Sequence, residues 1–71
     1  MELFKNSNGK NYEVVKESGN YTLLKELENN DPYKHPYVIA YGLDRELKSW
    51  SKGRYRSYYK EAKKEFERLI K

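Results

Sequence analysis

The chain has 71 residues, no cysteine and one histidine, so neither a disulfide nor a histidine/cysteine zinc site holds it together. A domain this short buries only about 60% of the surface its unfolded form exposes. Its stability is therefore expected at roughly 4–10 kcal/mol, carried by one small core. Fifteen Lys and Arg against eleven Asp and Glu give a net charge of +4, and no apolar run approaches the ~20 residues of a membrane span.

The length points to one domain over 1–71, without a linker or internal repeat. Residues 2–5 form a short first strand. The run Asn6-Ser7-Asn8-Gly9-Lys10 follows as a hairpin signal of the type I′ kind, because Asn-Gly supplies the positive-φ positions that this turn needs. A second strand covers 11–17, Ser18-Gly19-Asn20 is a tight turn, and a third strand covers 21–27. Residues 28–36, with two prolines and an Asn-Asn-Asp cluster, read as a loop that leaves Tyr33 available for function. The most apolar run, 37–43, suits a central strand. A second loop, 44–54, carries Leu47, Trp50 and Gly53 and a helical turn around 45–48.

From Tyr55 onward, apolar residues fall at Tyr55, Tyr58, Tyr59, Ala62, Phe66, Leu69 and Ile70, one face of an amphipathic helix over 56–70 with Ser57 as N-cap. The fold class that results is α+β: a small antiparallel meander of 3–4 strands packed by one C-terminal helix. Tight turns favour a meander, since parallel crossovers need a dozen or more residues. Tyr12, Tyr21, Tyr37 and Tyr41 are expected to pack on the sheet.

Catalysis finds little support. His35, in Pro32-Tyr33-Lys34-His35-Pro36, has no cysteine and no recognisable serine motif to activate, and it reads as a surface loop residue. The four glycines are scattered at 9, 19, 42 and 53, so no phosphate-cradling loop exists. Glu61, Glu65 and Glu67 read as a solvated helix flank. The expectation is a non-enzyme with no cofactor and no metal, located in the cytoplasm because Met1-Glu2-Leu3-Phe4-Lys5 lacks a signal-peptide pattern.

Charge is distributed unevenly. Residues 1–31 hold four Lys and six acids, a net −2, and residues 32–71 hold eleven Lys and Arg against five acids, a net +6. Arg56, Lys60, Lys63 and Lys64 lie opposite the apolar helix face. Lys48, Trp50, Lys52 and Arg54 precede it and mix cations with an aromatic ring. These eight residues form the candidate partner-binding set. Nucleic acid or a nucleoprotein is the first partner they suggest, cations meeting phosphates and Trp50 stacking on an unpaired base. The rival is a folded host protein, because Trp, Tyr and Arg are the residues enriched at binding hot spots. A solvated lysine-rich helix with Trp50 capping a small core is the plain alternative. An exposed strand edge leaves a homodimer open, and no membrane contact is expected.

At Tyr37-Val38-Ile39-Ala40, then Trp50-Ser51-Lys52-Gly53-Arg54-Tyr55 and a terminal helix with Glu61-Ala62 and Phe66, the chain resembles small uncharacterised proteins of phages and conjugative elements of low-GC Gram-positive bacteria. The likeness covers the last half of the chain and is one of layout, with no catalytic residues to carry over. It implies an accessory role, including inhibition of host defence as by anti-CRISPR proteins. Many of those mimic DNA and are acidic. This basic chain departs from that pattern, which leaves an inhibitor that docks on a nucleoprotein.

Overall fold

The computed structural model describes residues 2–27 and 35–71. The expected loop at 28–36, including Tyr33, lies outside the described residues except for His35 and Pro36. Five strands and one helix follow in order: β1 (Glu2–Lys5), β2 (Asn11–Ser18), β3 (Tyr21–Glu26), β4 (Tyr37–Tyr41), β5 (Lys52–Arg56) and α1 (Tyr59–Leu69). The strands form one antiparallel sheet in the order β1-β2-β3-β4-β5, a meander.

The expected 3–4 strands are therefore one short. Lys52-Gly53-Arg54-Tyr55-Arg56 pairs with β4 along its whole length, Tyr37 opposite Arg56 and Tyr41 opposite Lys52. Its charged residues fall on alternate positions, which is strand periodicity. The helix correspondingly starts later than 56. Tyr58, extended at φ −119° and ψ 140°, is the N-cap and makes no capping bond with its side chain. Ser57, expected in that role, is instead hydrogen-bonded through Oγ to His35 Nδ1. The first hairpin also differs from expectation. Gly9 alone takes a positive φ, +91°, and its N–H donates to the Asn6 carbonyl, whereas a type I′ turn needs two such residues.

Both faces of the sheet are apolar at its centre. Leu23 and Ile39 pack with Ala62 and Phe66 of α1, joined by Val15, Tyr21, Tyr37, Leu69 and Ile70. On the other face Phe4, Tyr12, Leu24, Val38 and Ala40 form a second cluster. The cover there is the β4–β5 segment, residues 42–51, which lays Leu43 and Trp50 on that cluster. Strand alternation lets adjacent valines serve both faces, Val14 on the Trp50 side and Val15 on the helix side, and the β2–β3 register shifts between Val14 and Lys16.

The β4–β5 segment is anchored at both ends of its middle turn, 45–48. The Arg45 guanidinium donates to Glu2 of β1 (2.8 Å) and Glu17 of β2 (3.2 Å), and the Ser7 N–H donates to the Lys48 carbonyl at 2.8 Å. Hydrogen bonds to Glu17 and then Glu2 push the Arg45 pKa above its usual value. Asp44 Oδ1 accepts from the N–H groups of Glu46 and Leu47, shaping a tight turn at 45–48 where a helical turn is expected from the sequence. Trp50 stands edge-on to Tyr12, with centroids 5.5 Å apart, and lies 6.1 Å from Phe4. Gly53 makes this seat available: a Cβ there would come within 2.9 Å of Trp50 Nε1.

Phe66 has the largest fully buried side chain and is the main link between helix and sheet. F66A should cost about 3–5 kcal/mol. In a domain worth roughly 4–10 kcal/mol that leaves a large unfolded fraction. Urea unfolding followed by far-UV circular dichroism measures it.

Candidate binding surfaces

Strand alternation separates the eight candidate residues. On β5, Lys52, Arg54 and Arg56 lie opposite Tyr41, Ile39 and Tyr37 and so share the helix-side face, whereas Gly53 and Tyr55 lie opposite Ala40 and Val38 and face Trp50. The expectation of one continuous surface is corrected accordingly: Trp50 and Lys52–Arg54–Arg56 occupy opposite faces of the sheet. Lys48 sits in the covering segment in a left-handed conformation, φ +56°, with its carbonyl tied to Ser7. Lys60, Lys63 and Lys64 are exposed on α1, as are Glu61, Glu67 and Arg68, while Ala62, Glu65 and Phe66 turn inward.

Glu65 is the charged residue that sequence reasoning placed wrongly. It is only 6% exposed, not part of a solvated flank. Its Oε1 receives Arg56 at 2.6 Å, Arg54 at 3.4 Å and Arg68 at 3.5 Å, and its Oε2 has no partner among the described residues. The signal was available: Glu65 lies three residues after Ala62 and four before Leu69, on the apolar stripe. Its burial is tolerated because β5 brings two guanidiniums to it. Arg56 also donates to the Tyr55 carbonyl at 2.7 Å, which fixes its head beside the carboxylate.

Beside this cluster the helix-side face carries a groove of about 290 Å³ lined by Tyr21, Ile39, Tyr41, Lys52 and Arg54. The rings of Tyr21 and Tyr41 lie 5.2 Å apart at 57°. Tyr41 is 38% exposed. Lys52 makes no ion pair among the described residues, and Arg54 gives Glu65 only a long contact. The groove thus combines two flat rings with two cations.

The opposite face holds a cleft of about 540 Å³ between the first hairpin, the sheet and the covering segment. Tyr12, Val38, Trp50 and Tyr55 line it together with Lys10, Glu26 and His35. Burial pushes the Tyr12 phenol up to about 12 from 10.0, helped by the nearby Glu26 carboxylate and then Tyr55. Among the described residues, no group of three or more His, Cys, Asp or Glu could hold a metal ion, and no helix is long and apolar enough to cross a membrane. No protein-family model, curated protein or solved structure matches the chain.

Two measurements test these assignments. E65M should change stability by less than about 1.5 kcal/mol, because Arg54 and Arg68 are already open to water and the partly exposed Arg56 keeps its bond to the Tyr55 carbonyl. The double variant R54M/R56M should cost about 3 kcal/mol, because a buried carboxylate then keeps only Arg68. Denaturant midpoints compare the two. Between pH 10 and about 12 the unfolded chain ionises Tyr12 while the folded chain keeps it protonated. The folded state then binds more protons, so stability falls as pH rises through that window. Y12F should show a shallower fall in midpoint over the same range.

Proposed function

We propose that the chain is a non-catalytic binding protein whose target is nucleic acid, held as a single strand across the helix-side groove. The observation that carries this reading is the placement of Lys52 and Arg54 beside the Tyr21–Tyr41 pair on a part of the sheet open to solvent. A single strand alternates charged backbone with flat bases, and this groove alternates cations with flat rings. Lys60, Lys63 and Lys64 on the outer side of α1 add long-range attraction for phosphates. Trp50, central to the sequence-based expectation, has no part in this contact because it lies on the far face.

A partly exposed ring stacking on a base contributes about 1–3 kcal/mol. Y41A should therefore weaken binding of a single-stranded oligonucleotide by that amount and leave the unfolding midpoint nearly unchanged. K52E should weaken it further. Affinity should fall log-linearly with salt, as counterion release demands. Filter binding or fluorescence anisotropy at several salt concentrations reads all three. Unmeasurable affinity of the unmodified protein for single and double strands at low salt ends this reading.

A folded-protein partner is the rival from another class. It is favoured by Leu47, 70% exposed at the tip of the covering segment, and by Tyr58, 67% exposed before α1. Binding through these residues would respond weakly to salt and strongly to L47A or Y58A.

A further inference from the structure

The face of the sheet that carries Trp50 has a chemistry of its own. Its inward positions are Phe4, Tyr12, Val14, Leu24, Val38 and Ala40, with one polar residue among them, the buried Thr22 opposite Ala40, whose hydroxyl donates to Glu17. Glu26 belongs to the same face, since it stands opposite Tyr12 in the register and lines the cleft with Val38, Trp50 and Tyr55. It is a carboxylate on an aromatic floor, and its side chain is only 16% exposed. Its one ion-pair partner among the described residues is Lys10, at 3.8 Å, whose side chain is 53% exposed and reaches in from the rim. His35, the other basic group lining the cleft, is exposed and is engaged by Ser57.

The geometry points to a binding site for an organic ammonium group in this cleft. Three features agree on positive charge. The faces of Trp and Tyr rings carry negative potential, and a cation over them gains most where water is excluded. Glu26 adds a full negative charge at the floor. Lys10 shows the polarity of the site, because the chain already holds an ammonium at its mouth, loosely enough for another to displace it into solvent. An anion would meet Glu26 at the floor, and a neutral apolar ligand that displaced Lys10 would leave that carboxylate without a counter-charge. The ammonium is either a free small quaternary amine or a trimethylated lysine side chain of another protein. The cleft lies on the opposite side of the sheet from the nucleic-acid groove, so this inference stands apart from that reading.

Trp50 is the only tryptophan, which makes its fluorescence a reporter confined to the cleft. The unmodified protein is titrated at constant ionic strength with choline and with 3,3-dimethylbutan-1-ol, which has the same shape and no charge. Choline should give a saturable change and bind at least about tenfold more tightly than the alcohol, the factor that about 1.4 kcal/mol represents. E26Q should lose that preference while its response to the alcohol stays the same. A neutral glycine–serine peptide with one trimethyllysine distinguishes the sources: tighter binding than choline assigns the site to a protein side chain, and equal or weaker binding assigns it to a free amine. Equal affinity for choline and the alcohol overturns the proposal. So does the absence of any saturable change with choline. Neither result depends on a variant that must fold.

Discussion

The two central strands each carry consecutive buried residues, Thr22-Leu23-Leu24 on β3 and Val38-Ile39-Ala40 on β4. Successive residues of a strand point to opposite faces, so both faces of the sheet must be covered. The described residues hold one helix for this purpose, and α1 packs on β3, β4 and β5. The second face is left to the segment 42–51, which contains no helix. Its ordered conformation follows from that demand. Arg45 clamps it to β1 and β2, Lys48 accepts a left-handed backbone, and Gly53 leaves room for Trp50. A segment that looks like a loop thus acts as the second layer of the domain.

The same economy governs charge. Three arginines from β5 and α1 converge on the one oxygen of Glu65 that is paired, so positive charge exceeds negative there by two. A buried ion pair seldom adds much stability, because desolvation offsets attraction. Here Arg54 and Arg68 stay largely in water, Arg56 is partly covered and only the carboxylate is buried, which lowers the desolvation cost. Arg54 then has two roles. Its guanidinium reaches Glu65, and its stem lines the groove with Lys52 and the two tyrosines. The +6 of the second half of the chain is therefore divided between cations that hold the helix to the sheet and cations that remain available to a partner.

How much of this the sequence could reveal depended on which residues gave the signal. The strands at 2–5, 11–17, 21–27 and 37–43 were legible from apolar alternation and Asn-Gly or Ser-Gly turns, with boundaries within two residues of β1 to β4. The helix was legible because Ala62, Phe66, Leu69 and Ile70 keep a helical spacing. β5 was not, because its Trp50-side residues are Gly53 and the half-exposed Tyr55 and its helix-side ones are all cationic. A strand whose buried face holds a glycine shows no hydrophobic alternation, and Tyr55 fitted the helical spacing as well. Glu65 was misplaced for a related reason. A carboxylate is buried only when its counter-ions are nearby, and Arg54 and Arg56 are brought close by strand pairing, which a linear reading does not see. The candidate cations were found as residues. Their division between two faces became visible only once β5 was recognised.

That division shows how one short strand gives the molecule two unlike surfaces. Lys52, Arg54 and Arg56 make the helix-side face cationic beside Tyr21 and Tyr41. Gly53 and Tyr55 complete an aromatic cleft on the other face with Glu26 at its floor. The side-chain period of a strand is two, so a slip of one residue in the pairing of β5 with β4 would exchange the sets. Three cations would then face the Trp50 cluster, and Glu65 would be buried with only Arg68. Both outcomes place charge where nothing compensates it, so the register is specified from both sides of the sheet at once. The electrostatics that distinguish the two surfaces are thus the same electrostatics that hold β5 in place, and neither surface can be altered there without affecting the other.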